Sequence, residues 1–377
     1  MKVLVLSCNT GGGHNTAAKA IKEVFDMKKD VCEVKDALSF GGQAASDLVC
    51  NSYIEMVKKT PKLFGELYKL GNKVGQMNNT GKIKSPVYLI NKMYADELEK
   101  YILENKFDAI ICTHIFPAEA LTHLKRRHNL QIPFFFVSTD YYCCPLIEEI
   151  SPELYFSAHK DTLFTFADKG INMDIIIPTG IPVSQKFVTS IDKNQAREEL
   201  KLNPKDKIFL LMSGSMGFGD TISIARYIFD NSDKNTKIVA ITGNNQDMYT
   251  EFQKEFENEK RLILLGFTDK VYLYMNACDI LLTKPGGLSS TEALVKGIPI
   301  IHTSPIPGCE TENVQFFTEH NLSLYAQNSK EAGRLAVLLM GDKFLRSQML
   351  AAQKNYRCEN SAAAIVEKVK NYKKSGL

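Results

Sequence analysis

Short β-rich runs alternate with runs of helical period along the whole chain, and this alternation restricts the fold more than any other feature. Lys2–Ser7 (KVLVLS) leads through a glycine-rich turn into Ala17, Ala20, Ile21, Val24 and Phe25 at helical spacing. Val31–Asp36, residues 108–113 (DAIICT) and residues 134–139 read as further strands ending in Thr, Ser or Asp turn chemistry, with a helix expected from Pro117. Strands that alternate with helices imply a parallel sheet. The pattern breaks over residues 178–206, through PTGIPVSQKF and DKNQAREELKLNPKDK, which marks the exit from a first domain. It then restarts: residues 208–213, 237–242, 262–265, 279–283 and 299–302 are strand candidates, with helices beginning near Thr221, Asp247, Lys270 and Ser289. The expected fold class is therefore α/β, with two doubly wound domains.

Composition agrees. The chain has 377 residues, 44% hydrophobic and 24% charged, with a formal net charge of +3, which suits two globular domains and excludes disordered or fibrous classes. Uninterrupted apolar runs are strand-sized, far short of the roughly 18 residues a membrane-spanning helix needs. The start, MKVLVLSCNT, runs from strand into turn chemistry with no signal-peptide pattern, so a cytoplasmic location is expected. Nine cysteines, none in C-x-x-C spacing, read as reduced thiols. The charge is unevenly spread: residues 51–95 hold eight lysines against Glu55 and Glu66, interleaved with bulky apolar side chains. Lys58, Lys59, Lys62, Phe64 and Tyr68 are the candidates for an anionic-membrane docking surface there, with an ordinary amphipathic helix pair as the plainer reading. Gly71, Gly75, Asn78, Asn79, Gly81 and Pro86 predict an irregular connection beside it, so a lid or docking surface fits better than core.

Ligands of open parallel sheets sit at the carboxyl ends of the strands, so the loops that follow them carry the chemistry. The first is Asn9-Thr10-Gly11-Gly12-Gly13-His14, which can bring its backbone and a helix N-terminus close to an anion but fits neither the P-loop nor the dinucleotide fingerprint. His14 on that loop is a candidate proton acceptor near neutral pH. In the second half, Gly214-Ser215-Met216-Gly217 after one strand, and Lys284-Pro285-Gly286-Gly287-Leu288-Ser289 after another, present two helix N-termini suited to a diphosphate. Glu292 is expected in the first turn of its helix, where a carboxylate can accept two ribose hydroxyls. Residues 304–313 read as a proline-pinned loop whose Glu310, Glu312 and Asn313 would suit sugar hydroxyls. No D-x-D cluster lies near these loops, so no metal or other cofactor is expected.

Five motifs in order, TGGGHNTAA, THIFPAEAL at 113–121, STDYY at 138–142, GSMGFG at 214–219 and KPGGLSSTEAL…GIPII…PIPGCETEN at 284–313, resemble the monogalactosyldiacylglycerol synthase and processive diacylglycerol glucosyltransferase family. The resemblance covers nearly the whole chain. It implies a GT-B architecture, two Rossmann-like domains with parallel sheets facing a central cleft. Residues 1–185 would be the acceptor-lipid domain, rejoined by a C-terminal helix within 359–377, and residues 186–358 the nucleotide-sugar domain. It implies His14, assisted by Asp140, as the base at the acceptor hydroxyl, with Gly12, Gly13 and His114 beside it. Gly214, Ser215, Met216, Gly217, Gly286, Gly287, Leu288 and Ser289 would lie near the diphosphate, Glu292 at the ribose, Phe267 by the uracil, and Glu310 and Asn313 near the donor sugar. Cys309 stands where many members have Gln, and YYCCPLIEE after Asp140 lacks the histidine and tryptophan common in relatives. The implied activity is inverting, metal-independent transfer of a hexose from a UDP-sugar to diacylglycerol or glycosyl-diacylglycerol, at the inner face of the cell membrane, with no nucleic-acid partner. Rival readings are a murein-precursor N-acetylglucosamine transferase, a UDP-sugar epimerase, and a UDP-sugar-binding sensor without turnover. The GGGHNTAA and PGCETEN segments favour the lipid family over the first two, and an intact His14 argues against the third.

Overall fold

In the computed structural model each half of the chain is built on a six-stranded, wholly parallel sheet. The structure describes residues 1–42, 46, 47, 51, 55, 56, 59, 60, 62, 63, 65, 66, 68, 85–212 and 220–372. The chain divides into two compact units, Met1–Gln185 with Pro307–Cys309 and Cys358–Leu377, and Lys186–Ile306 with Glu310–Arg357.

The first unit contains β1 (Lys2–Ser7), β2 (Val31–Asp36), β3 (Ala109–Cys112), β4 (Phe134–Val137), β5 (Leu154–Ser157) and β6 (Ile176–Pro178), in the order β2-β1-β3-β4-β5-β6. Side chains of a strand alternate between faces, and β1 shows the consequence. Val3 and Val5 pack with Ala18, Ile21, Val24 and Phe25 of α1 (Gly12–Met27), while Leu4 and Leu6 pack with Leu98 and Ile102 of α2 (Ala95–Asn105) and Leu121 and Leu124 of α3 (Ile115–Arg127). Helices therefore cover both faces, which is why the strands read as nearly continuous apolar runs. The last helix, Ser361–Asn371, lies on the α1 side, with Ala362, Ile365, Val366 and Val369 in the same core as Val3 and Val5. Its start is held by Ser361 Oγ, which donates to the Ile181 carbonyl at 2.8 Å.

The second unit contains β7 (Lys207–Met212), β8 (Thr236–Ile241), β9 (Leu262–Leu265), β10 (Ile280–Thr283), β11 (Ile300–Thr303) and β12 (Leu324–Ala326), in the order β12-β11-β10-β7-β8-β9. Phe209 and Leu211 of β7 are buried with Ile224, Ala225 and Ile228 of one helix and Ala332, Ala336 and Leu339 of another. β5, β6 and β12 are additions to the strands expected from sequence. They are three or four residues long and lack a distinctive run, and β6 ends on a proline that only an edge strand tolerates.

Sheet order decides where ligands fit. Connections leave in opposite directions from β1 and β3 in the first sheet, and from β7 and β10 in the second, so a crevice opens at the carboxyl ends of each pair. The loop after β1 leads into the first turn of α1, where His14 lies, the loop after β3 ends at His114, and the loop after β10 ends at Gly286, with Gly287 opening the next helix. Among the described residues no helix is long and apolar enough to cross a membrane.

Candidate active site

Leu6 lies opposite Cys112 in the parallel register of β1 and β3, so the loops leaving these strands emerge side by side. One enters α1 through Gly11, and no described side chain caps that helix, which leaves its first-turn amides open beside the exposed Gly12 and half-buried Gly13. The other ends at His114, the N-cap of α3. His14, in the first turn of α1, and His114 therefore meet edge to face, with ring centroids 4.6 Å apart.

His14 Nδ1 lies 2.9 Å from the Thr113 carbonyl oxygen and 3.0 Å from Thr139 Oγ1, beyond the end of β4. A carbonyl can only accept, so Nδ1 carries the proton and Nε2 is left with its lone pair. His114 takes the opposite tautomer: its Nδ1 accepts from the Phe116 amide at 3.2 Å, and Nε2 faces Thr10 Oγ1 at 3.2 Å. Burial lowers the His14 pKa; the negative charge of Asp140 and the Thr113 carbonyl act in the opposite direction. His114 is pushed well down by burial and, secondly, by His14. The result is a neutral, half-buried imidazole with a fixed tautomer at the switch point of the sheet. Asn9 donates to Asp36 at 2.9 Å and accepts from Asn15 at 2.6 Å, and Ser46 Oγ donates to Asp36 at 2.7 Å, so β2 and the segment after it are tied to the same loop.

In the second unit β10 ends at Thr283, and α4 (Gly287–Lys296) begins just beyond Gly286, its N-cap. Asn313, fully buried, donates to the Pro285 carbonyl at 2.9 Å and holds the intervening turn. Glu310 is 4% exposed; its Oε2 accepts from the Ile306 amide at 2.8 Å and its Oε1 pairs with Lys284 Nζ. Because α4 starts at Gly287, two residues before the expected Ser289, Glu292 falls in its second turn and not its first. The Glu292 carboxyl is buried, has no hydrogen-bond or ion-pair partner among the described residues, and is pushed up to about 8 by burial. Leu288 is buried and Ser289 half-buried, while Phe267, following β9, stands 76% exposed.

Of the other expected site residues, Gly214, Ser215, Met216, Gly217, Lys58 and Phe64 lie outside the described residues, as does most of the 51–95 docking surface. Lys59 and Lys62 are exposed, Lys59 pairing with Glu55 at 2.9 Å, and Tyr68 is half-buried. Three groups were not singled out by sequence. Thr139 was legible only as turn chemistry after a strand, and Lys284 only as part of a glycine-rich loop. His302 gave no signal beyond its place at a strand end: it is fully buried between Ser290 Oγ and Ser323 Oγ, each 3.0 Å from a ring nitrogen, and so pins α4 to β11. Among the described residues no group of three or more His, Cys, Asp or Glu side chains is placed to hold a metal ion.

Comparison with known proteins agrees with this architecture. Residues 14–183 match the family model described as monogalactosyldiacylglycerol (MGDG) synthase, and residues 208–369 match the glycosyltransferase family 28 C-terminal domain. Similar curated proteins are the processive diacylglycerol β-glucosyltransferases of Staphylococcus epidermidis, 26% identical over 94% of this chain and 90% of that protein, and of Staphylococcus aureus strain MRSA252, 25% identical over 97% and 91%. Among solved structures, Acinetobacter baumannii MurG superposes with a TM-score of 0.65 at 14% identity, over 98% of this chain and 99% of MurG. The S. aureus MnaA–UDP co-structure does so with a TM-score of 0.66 at 16% identity, over 99% and 97%. At such identities these two likenesses concern the fold alone. With one family model on each sheet and relatives aligned over nearly their full lengths, the chain is similar throughout to the monogalactosyldiacylglycerol synthase and family 28 glycosyltransferases, and is a hexosyltransferase of the GT-B fold.

Proposed function

We propose that this hexosyltransferase moves a hexose from a UDP-sugar to the free hydroxyl of diacylglycerol or a glycosyl-diacylglycerol, with inversion and without a metal, while docked on the inner face of the cell membrane. The observation that carries the reading is His14: a neutral imidazole whose Nδ1 is occupied by Thr113 and Thr139 and whose Nε2 keeps its lone pair. In a single displacement the acceptor oxygen forms the new bond to the sugar C1, its proton passes to His14 Nε2, and the C1–O bond to UDP breaks with its electron pair going to the β-phosphate oxygen. Asp140 stabilises the imidazolium formed, since its charge favours protonation of His14. The leaving diphosphate would meet the N-terminal amides of α4 at Gly287 and the loop of Gly214 to Gly217, with Glu292 on the ribose, Phe267 by the uracil and Glu310 at the sugar, while the fully buried Asn313 holds the glycine turn through the Pro285 carbonyl. Support for the acceptor comes from the activity for which the staphylococcal relatives are named, and support for the nucleotide from the UDP carried by MnaA. The exposed Lys59 and Lys62 support docking on anionic lipid.

The test is product analysis by mass spectrometry, with UDP-glucose, UDP-galactose and UDP-N-acetylglucosamine offered against diacylglycerol in vesicles containing EDTA. A glycosyl-diacylglycerol of inverted anomeric configuration is expected. Turnover only on addition of a divalent cation would remove the metal-free step, and binding of UDP-sugar without any transfer would identify a sensor. Vesicle binding should weaken with salt and on replacing Lys59 and Lys62 by alanine; binding unmoved by either would remove the docking reading.

A further inference from the structure

The Lys284–Glu310 pair ties the end of β10 to the helix Cys309–Glu319, and both partners are largely buried, with side chains 15% and 5% exposed. A lysine held that far from water needs an anion. Glu310 is the one partner of Lys284 Nζ among the described residues. The pair is not sealed. The Lys284 side chain keeps 15% of its surface exposed, and a Cβ built on Gly286, the residue that caps α4, would lie 3.5 Å from Glu310 Oε1 and 3.8 Å from Lys284 Nζ, so the glycine turn runs directly against the pair. The same turn therefore collects an ammonium, a helix N-terminus that no described side chain caps and, one turn further along α4, the buried Glu292, which has no partner among the described residues.

We infer that Lys284 is an exchangeable cation. It neutralises Glu310 while the site is empty and transfers to the diphosphate when the donor binds, releasing Glu310 Oε1 to accept a sugar hydroxyl. This rests on the UDP-sugar reading above and adds a residue to it. During transfer Lys284 makes and breaks no bond. It stays protonated and balances the charge that develops on the β-phosphate oxygen as the C1–O electron pair moves there. Glu310 keeps its Ile306 amide throughout, so the carboxylate stays aligned as its partner changes. A pair that merely clamped two loops would instead lose the same thing whichever partner were removed.

The experiment is calorimetric titration of UDP and of uridine, which lacks phosphates, into wild type, Lys284→Met, Lys284→Arg and Glu310→Gln, with thermal melting of each. Lys284→Met should weaken UDP about 10- to 100-fold, the range for loss of one charge-assisted contact, and leave uridine within about twofold. Lys284→Arg should keep UDP within about fivefold. Glu310→Gln, which frees the ammonium, should bind UDP as tightly as wild type or tighter while transferring sugar more slowly. Equal losses of UDP and uridine in Lys284→Met, unchanged UDP affinity there, or a Glu310→Gln loss matching that of Lys284→Met would each overturn the exchange while leaving the UDP reading intact. Wild type that binds neither nucleotide would end both.

Discussion

Replacing His14 by alanine removes the basic nitrogen, Nε2, that the first turn of α1 presents to the first crevice. General-base assistance accounts for about 10²–10⁴-fold in rate, or about 3–5 kcal/mol of barrier, and His14→Ala is expected to lose kcat in that range with little change in donor KM. Thr139→Val isolates the tautomer. It deletes the hydroxyl at 3.0 Å and keeps the Thr113 carbonyl at 2.9 Å, so loss of a hydrogen bond worth about 1 kcal/mol should lower kcat only about fivefold. The pH profile supplies the sign. The neutral imidazole is the active form and burial holds its pKa below the ordinary histidine value, so activity should persist as pH falls through about 6.5 and decline only below it. Asp140 raises that pKa, so Asp140→Asn should move the acid limb to still lower pH and reduce the plateau by weakening the base. The assay is initial-rate transfer at saturating donor and acceptor between pH 5 and 8. A His14→Ala enzyme within about threefold of wild type, or an acid limb that moves upward in Asp140→Asn, would refute the assignment of His14 as base.

Glu292, raised to about 8, is mostly uncharged at pH 7 in the free protein, and ribose hydroxyls donating to it favour its ionised form. UDP binding at pH 7 should therefore release up to about one proton, seen as a buffer-dependent enthalpy, and Glu292→Gln should abolish that release; an unchanged proton count would contradict the placement. His302, lowered to about 3, gives stability that is complete above the unfolded value near 6.5 and is lost as pH falls toward 3, because only the unfolded chain takes up the proton. Denaturant unfolding at pH 7 and pH 5 should show wild type losing about 2 kcal/mol more than His302→Gln, and parallel losses would disprove it. Gly180 has φ +89° and its built Cβ would lie 2.5 Å from Cys358 Cβ, whereas Gly170 has φ +73° with open space around it. Gly180→Ala should cost about 2–4 kcal/mol in unfolding experiments and Gly170→Ala only about 1, since both carry backbone strain but only the first overpacks the returning C-terminal segment.

Most strand cores were legible in the sequence, and the reason is local. A buried parallel strand needs four to six consecutive apolar or β-branched residues and its neighbouring helix needs a 3.6-residue period, both written in adjacent positions. KVLVLS, AIIC and ILLT meet that condition, whereas in LYFS, IIP and LYA the apolar run stops after three residues, at Ser157, Pro178 and Gln327. A glycine pair marks a turn without saying on which glycine the helix begins, so α4 starts two residues earlier than the sequence predicts and Glu292 lies in its second turn.

The sequence by itself determined that this chain builds two parallel α/β sheets, places glycine-rich turns after their strands, and carries the motifs of a glycosyltransferase family. Only the tertiary structure decided that His14 keeps Nε2 free, because that depends on Thr113 and Thr139, 99 and 125 residues away along the chain. It also decided that Lys284 meets Glu310 across the Gly286 turn. The physical reason is common to both: backbone periodicity follows from the sterics of neighbouring residues, whereas a tautomer or an ion pair is set by distances through space, and those exist only once the sheet order brings remote strand ends together.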